Sequence, residues 1–236
     1  MARRKGDCHY GCLGQVLWPL PDATGGSMTS HNEILQHVYG AETPAQSRAA
    51  YDQWSGSYDA DNLAKGFRLP ALGAGMLARH LGICEGAVLD ACCGTGLVGE
   101  TLAVLGYGTI SGCDLSSEML TASGATGAYG DLVQANLVET LPFDDDTFAG
   151  FTCIGSFGPG HAPPESLYEL ARVTKPGGVG VFNLLTESWE AQGFPKVIED
   201  LQDNGAWEEI EISRPFRPYL LAEPELWSRL HVMRMR

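Results

Sequence analysis

The sequence predicts an α/β fold in which a mostly parallel sheet is covered by helices on both faces. Short apolar segments alternate with segments of helical periodicity from about residue 83 onward, which is typical of successive strand–helix units. The segment before them has helical periodicity alone. A length of 236 residues suits one domain with an N-terminal addition, and 44% hydrophobic with 19% charged residues is ordinary for a globular protein.

Three parts are expected along the chain. Residues 1–30 contain many Gly, Pro and Ser residues and are expected to be a flexible tail without a secretory signal. Residues 31–82 are expected to be N-terminal helices that form a lid, with one helical stretch up to Ala64 and another over Leu69–Leu81. Residues 83–236 are expected to form the core.

The core is expected to contain seven strands, which predicts a Rossmann-like sheet. The predicted strands cover residues 86–93, 107–115, 129–134, 148–155, 175–185, 207–212 and 226–235. The predicted helices cover residues 97–106, 116–123, 165–173 and 187–205. Gly106 is expected to end the first of these helices, and Ser116 is a candidate N-cap of the second.

Charge and cysteine content bear on partners and location. The net charge of −14 predicts repulsion from phosphate backbones, which disfavours a nucleic-acid substrate. The seven cysteines are odd in number and most lie in apolar runs, so a reducing cytoplasm fits better than a disulfide framework. No apolar run reaches the roughly 18 residues of a membrane-spanning helix. No metal site is expected, because Cys8, His9 and Cys12 have no second pair of ligands in the sequence.

The segment VLDACCGTG at residues 88–96 is the strongest functional signal. Its apolar residues form the first predicted strand, with Asp90 at the carboxyl end, and Gly94, Thr95 and Gly96 make the turn into the next helix. Open α/β sheets bind ligands at that edge. The glycines allow the backbone to approach a ligand closely, and the helix N-terminus adds amide donors.

The glycine pattern alone leaves two cofactor classes open. Residues 94–99, GTGLVG, fit the dinucleotide fingerprint, and Asp114 at the end of the second strand is the acid that would hold ribose hydroxyls in either class. Asp90, four residues before the first glycine, favours S-adenosylmethionine (SAM), since it would repel a pyrophosphate and attract a methionine ammonium group. The segments LPFDDDTF (141–148) and VTKPGG (173–178) are not dinucleotide features. A nicotinamide-dependent oxidoreductase is the less favoured alternative.

These motifs resemble the class I SAM-dependent methyltransferases of the small-molecule type. More closely, the chain is similar to the methyltransferase-like proteins named after the Williams–Beuren syndrome chromosome region. The resemblance spans roughly residues 48–186, through YDQWSGSYDAD (51–61), FRLP (67–70), VLDACCGTGLVG (88–99), GCDLSSEML (112–120), LPFDDDTF (141–148) and ELARVTKPGG (169–178). It implies an enzyme that transfers a methyl group from SAM and leaves S-adenosylhomocysteine (SAH).

The resemblance also implies a cofactor site. Asp90 and the glycine loop would contact the methionine half, Asp114 the ribose hydroxyls, and Leu115 the adenine. Trp54 and Tyr58 would close the lid. The implied cofactor-binding residues are Trp54, Tyr58, Asp90, Cys92, Gly94, Thr95, Gly96, Asp114, Leu115, Met119, Asn136, Leu137, Ile154 and Gly155. Two positions depart from the family pattern, because Cys92 replaces the usual first glycine and Asn136 stands where an acid is common.

Methyl transfer from a sulfonium is an in-line displacement, so the protein mainly aligns the reactants and excludes water. A hydroxyl or ammonium acceptor also needs a base. His161, in the loop after the fourth strand, is the first candidate for catalysis, and Tyr51 is a lesser one. An alternative is a SAM-binding regulatory module without enzymatic activity.

Aromatic residues in the C-terminal third predict an apolar or planar small-molecule acceptor, although they would equally fill the core of the last strands. These residues are Trp189, Phe194, Trp207, Phe216, Tyr219 and Trp227. In the same way Tyr51, Trp54 and Tyr58 share one helical stripe and are interpreted either as core or as lid.

Overall fold

The computed structural model describes Val38 and residues 40–236. The predicted tail and the first part of the predicted N-terminal helices therefore lie outside the described residues. Within the described part, no helix is both long and apolar enough to cross a membrane.

Within residues 40–236, three helices precede the sheet: α1 (Pro44–Trp54), α2 (Tyr58–Ala64) and α3 (Leu69–His80). A capping box fixes the start of α1, because Thr43 Oγ1 accepts the Gln46 N–H and Gln46 Oε1 accepts the Thr43 N–H. The sequence predicted one helical stretch up to Ala64, whereas the structure breaks it after Trp54. The reason is the Ser-Gly-Ser turn at 55–57, whose residues favour turns over helix interiors.

The seven predicted strands are present, namely β1 (Val88–Ala91), β2 (Ile110–Asp114), β3 (Asp131–Gln134), β4 (Phe148–Cys153), β5 (Thr174–Leu185), β6 (Trp207–Ile212) and β7 (Ser228–Met235). They form one sheet in the order β3-β2-β1-β4-β5-β7-β6. Strands β1 to β5 pair in parallel, whereas β7 runs antiparallel to both β5 and β6. The chain leaves β1 towards β2 and β3 and then returns to β4, so the carboxyl ends of β1 and β4 flank the crevice where such sheets bind ligands.

Helices cover both faces of the sheet, which confirms the predicted fold class. One apolar cluster contains Leu77 of α3 and Leu102 of α4 (Leu97–Val104), and the other contains Leu167 of α6 (Ser166–Arg172) and Ile198 of α8 (Phe194–Asp203). The predicted helix at 187–205 is two helices, because Gly193 adopts a left-handed conformation (φ 81°) between them. The remaining helices are α4 (Leu97–Val104), α5 (Ser117–Ala125), α6 (Ser166–Arg172), α7 (Ser188–Ala191) and α8 (Phe194–Asp203).

Candidate active site

A cavity of about 430 Å³, called the main cavity below, lies at the carboxyl ends of β1, β2, β3 and β4. The loops that follow these strands form its floor, and residues of α1 form part of its wall. Its volume is within the range of cavities that bind cofactors and drug-sized ligands. In the described part of the chain, no group of three or more His, Cys, Asp or Glu side chains is placed to hold a metal ion.

The structure brings most of the residues predicted from the sequence to this cavity. Those that line it are Tyr51, Tyr58, Cys92, Gly94, Asp114, Leu115, Met119, Asn136, Leu137, Ile154, Gly155 and His161. Four other predicted cofactor residues lie beside it or behind its loops rather than on its wall, and they are Trp54, Asp90, Thr95 and Gly96.

Asp114 is positioned by two backbone amides. Its Oδ2 accepts the Gly94 N–H at 2.9 Å and its Oδ1 accepts the Ser116 N–H at 2.9 Å. Burial raises the pKa of Asp114 above its ordinary value, and these amide hydrogen bonds oppose that rise. A carboxylate oxygen can accept more than one hydrogen bond, so Asp114, which lines the main cavity, can also accept from a ligand there. That capacity matches a vicinal diol such as the ribose hydroxyls of SAM.

Two glycines form a cradle that side chains would fill. Gly94 (φ 55°) and Gly155 (φ 76°) both line the main cavity, and a Cβ atom added to either would meet no atom within 4 Å. Cys92, also on the cavity wall, has a positive φ of 54° that L side chains rarely adopt. The cradle, the diol-binding capacity of Asp114 and the cavity volume together fit a nucleoside-containing cofactor.

Asp90 is buried behind the glycine loop, with 1% of its surface exposed. Its Oδ2 accepts the Tyr129 hydroxyl at 2.6 Å, and its Oδ1 accepts the Thr152 hydroxyl at 2.9 Å. Burial raises the pKa of Asp90 to about 6, although these two hydrogen bonds lower it. Neither Tyr129, in the loop before β3, nor Thr152 of β4 was predicted from the sequence, because they belong to no motif.

The other residues away from the cavity wall have structural partners. Gly96 is the N-cap of α4 and adopts a left-handed conformation (φ 99°). The Trp54 indole N–H donates to Asp61 at 2.8 Å, and its ring, 1% exposed, packs against Tyr51 and Tyr58. Trp54 thus packs behind the two tyrosines that do line the cavity.

Two hydroxyl–carboxylate hydrogen bonds attach the N-terminal helices to the cofactor edge of the core. Ser116 Oγ donates to Asp52 of α1 at 2.5 Å, and Thr95 Oγ1 donates to Asp59 of α2 at 2.6 Å. Because Thr95 lies in the glycine loop and Ser116 follows Asp114 closely, these contacts couple the position of the helices to the shape of the cavity.

Replacing Thr95 by valine is expected to weaken SAH binding about ten-fold, since a hydrogen bond to a charged group contributes about 1.5 kcal/mol or more. Isothermal calorimetry measures the effect. The matched control is Thr121→Val, which removes an exposed hydroxyl that bonds only within α5, to Ser117 O. Equal affinities of the Thr95 variant and the wild type would contradict this role of the Thr95–Asp59 contact.

Tyr51 and His161, the two predicted catalytic residues, contact each other. Tyr51 Oη lies 2.6 Å from His161 Nε2, and His161 Nδ1 lies 2.7 Å from Pro159 O. A carbonyl oxygen only accepts, so Nδ1 carries the proton, and in the neutral imidazole Nε2 accepts the Tyr51 hydroxyl. Burial lowers the pKa of His161 below its ordinary value. The pair therefore holds a neutral imidazole with its basic nitrogen directed at a phenol.

Comparison with known proteins places the chain in a family. A family profile described as a methyltransferase domain matches residues 88–178. Human methyltransferase-like protein 27 is 33% identical over 190 residues, which cover 78% of this chain and 77% of that protein. The chain belongs to the class I SAM-dependent methyltransferases. This membership decides between the two cofactor classes that the glycine pattern left open, and the cofactor of the enzyme is SAM.

Other similar proteins agree with this assignment at the level of domain and fold. The demethylmenaquinone methyltransferase of Bacillus licheniformis is 40% identical over 122 residues, which cover 46% of this chain and 48% of that enzyme. A methyltransferase solved in complex with the Trm112 activator of Haloferax volcanii superposes with a TM-score of 0.59 at 20% identity. That superposition covers 78% of this chain and 97% of the other, and it shows the shared fold.

Proposed function

We propose that the enzyme methylates a small, apolar or planar acceptor, with His161 removing the acceptor proton by way of Tyr51. The observation that carries the proposal is a second, smaller cavity of about 50 Å³, which shares Tyr51, Tyr58, Gly155 and His161 with the main cavity. The Tyr51–His161 pair thus stands at the junction of two compartments. A methyltransferase needs such a junction, because donor and acceptor must meet at one reacting atom.

The lining of the second cavity suits an apolar or aromatic group. Six aromatic side chains are among the residues that line it, namely Tyr51, Trp54, Tyr58, Phe67, Phe157 and Tyr219. Its two amide side chains already have partners, since Asn62 Oδ1 accepts the Tyr219 hydroxyl and Asn183 Oδ1 accepts the Gly155 N–H. Aromatic rings at such a position favour contact with an apolar or planar group of a ligand.

Only one of the aromatic residues predicted to shape the acceptor pocket lines this second cavity, namely Tyr219. Phe194 and Trp207 are buried in the core between the sheet and α8, where they support the last strands. Tyr219 lies in the connection between β6 and β7, where its ring stacks on Phe67 at 5.1 Å between centroids. We infer that this connection, together with α1 and α2, determines which acceptor is bound.

In the main cavity, we propose that Asp114 accepts the ribose hydroxyls, that Leu115, Asn136 and Leu137 contact the adenine, and that the glycine loop faces the methionine half. When bound, SAM supplies a methyl group activated by its sulfonium. The protein then has to orient the acceptor, exclude water and accept its proton.

The Tyr51–His161 pair is arranged to accept that proton. An acceptor hydroxyl next to Tyr51 would transfer its proton to the phenolic oxygen while Tyr51 transfers its own proton to His161 Nε2. The resulting imidazolium keeps its Nδ1–H hydrogen bond to Pro159 O, which stabilises the positive charge. The demethylmenaquinone methyltransferase relatives, named for a small-molecule acceptor, support this substrate class.

An acceptor screen tests the proposal. Phenols, quinols, thiols and amines are incubated with the enzyme and SAM, and SAH release is measured by mass spectrometry. With the best acceptor, Tyr219→Leu is expected to raise KM about ten-fold by removing a buried ring, with SAH affinity unchanged. The matched control is Tyr168→Leu at an exposed position of α6. Methylation of peptides or RNA in place of every small molecule would overturn the proposal.

A further inference from the structure

Tyr129 lies between α5 and β3, and its ring occupies space that three glycines leave open. A Cβ atom added to Gly99 would lie 2.2 Å from Tyr129 Cζ, one on Gly112 would lie 2.9 Å from Cε1, and one on Gly96 would lie 3.1 Å from Cε2. Gly99 and Gly112 have no positive φ, so their backbone does not require glycine. The tyrosine ring is therefore the physical reason for glycine at position 99, the third glycine of the GTGLVG pattern, and at Gly112 it excludes a side chain together with Leu132, whose Cδ2 would lie 2.7 Å from an added Cβ.

The hydroxyl of Tyr129 joins the two ends of the cofactor loop. It donates to Asp90 at 2.6 Å and accepts the Gly99 N–H at 3.2 Å. Gly99 is the third residue of α4, where backbone amides lack intrahelical acceptors. The N-cap, Gly96, has no side chain to supply one, so Tyr129 provides a cap from a distant part of the sequence.

We propose that Tyr129 is a positioning residue for SAM binding, which holds the loop of residues 92–96 in shape by tying Asp90 before the loop to Gly99 after it. Tyr129 and Asp90 do not line the main cavity, whereas Cys92 and Gly94 of the loop do. The effect on the cofactor is therefore transmitted through the loop. It involves neither the acceptor nor the second cavity, so it stands apart from the proposed function.

The arrangement also depends on the charge of Asp90. As an anion, Asp90 accepts hydrogen bonds from both Tyr129 and Thr152. In the protonated form one of its oxygens becomes a donor, so the pattern of these hydrogen bonds changes. The other titratable groups that interact electrostatically with Asp90 in this region are Asp114, Cys93 and Cys113. Because the Tyr129 hydrogen bond lowers the pKa of Asp90, removing the hydroxyl raises that pKa further.

The test is Tyr129→Phe, which keeps the ring and removes the hydroxyl. SAH affinity is measured by calorimetry from about pH 5 to about pH 8, a range that spans the titration of Asp90. At neutral pH the variant is expected to bind SAH about ten-fold more weakly, the loss typical of a hydrogen bond to a charged group. On acidification its affinity is expected to fall at a higher pH than that of the wild type.

The matched control is Tyr107→Phe. Tyr107 is also buried, its hydroxyl donates to Leu81 O at 2.5 Å, and it follows the C-terminal end of α4, away from the cofactor loop. This variant is expected to be less stable but to bind SAH with the affinity and pH profile of the wild type. A wild-type affinity and pH profile in Tyr129→Phe, or an equal loss in Tyr107→Phe, would overturn the proposal.

If Tyr129→Phe does not fold, Asp90→Asn provides the same test. This substitution removes the titrating group and keeps its volume, so the dependence of SAH affinity on pH near 6 is expected to disappear. A variant that binds SAH with the pH profile of the wild type would contradict the role of the Tyr129–Asp90 contact.

Discussion

Replacing His161 by glutamine is expected to lower kcat by about 10²- to 10⁴-fold, the usual contribution of a general base. Glutamine retains a polar side chain of similar reach but has no basic nitrogen, so the Tyr51 hydroxyl loses its proton acceptor. SAH affinity is expected to stay within about two-fold, because the interactions proposed for Asp114 and the glycine loop are untouched. Steady-state kinetics with the acceptor found in the screen, together with SAH calorimetry, measure the two effects.

The control for this prediction is His80→Gln, which alters a histidine at the end of α3 that bonds to Glu211. Its kcat is expected to equal that of the wild type. An unchanged kcat in His161→Gln would remove His161 from the mechanism. Loss of both kcat and SAH affinity would instead indicate a structural role.

The pH–rate profile gives an independent check on His161. Burial lowers its pKa, so the imidazole stays neutral, and able to accept a proton, below its ordinary pKa of about 6.5. The rate should therefore be level at neutral pH and fall only as the pH drops through the lowered pKa. This acidic limb should be absent from the residual activity of His161→Gln.

Replacing Asp114 by asparagine is expected to weaken SAH binding about 100-fold. Both carboxylate oxygens accept backbone N–H groups, from Gly94 and Ser116. An amide nitrogen in place of either oxygen would put its own N–H donors opposite one of these backbone N–H donors. The loop would have to give up one of these bonds, at a cost of about 1–3 kcal/mol for an unsatisfied buried group. The same change removes part of the proposed acceptor site for the ribose hydroxyls.

Calorimetry with SAH measures this effect, and Asp131→Asn is the control, since Asp131 is an exposed carboxylate at the start of the neighbouring strand β3. Thermal unfolding checks that the Asp114 variant remains folded. Wild-type affinity of Asp114→Asn for SAH would show that Asp114 shapes the loop without holding the cofactor.

The architecture was predictable because its signals are local. Alternation of apolar strands with helical segments depends on neighbouring residues, and it predicted the seven strands that the structure contains. The observed helix boundaries differ from the predicted ones where local signals compete. The stripe of Tyr51, Trp54 and Tyr58 indicates one helix, but the Ser-Gly-Ser turn at 55–57 divides it. The rings remain in contact across that break, with centroids 4.7–6.4 Å apart.

The partners of the site residues were not predictable in the same way. Tyr51 and His161 were identified separately, and their contact joins positions 110 residues apart. Tyr129 was missed because it belongs to no motif, although glycines inside a helix and a strand, at Gly99 and Gly112, were a signal that a bulky side chain occupies the space beside them.

The sequence by itself determined the fold class and the methyl donor, since the apolar pattern predicts the strands and the motifs that contain Asp90, the glycine loop and Asp114 are shared with the methyltransferases. Only the tertiary structure decided which of these side chains face the cavity. Asp90 points into the protein because Tyr129 and Thr152, brought close by β3 and β4, donate to it there. A buried carboxylate adopts the orientation in which both oxygens find donors, and such donors come from strands that are distant in sequence.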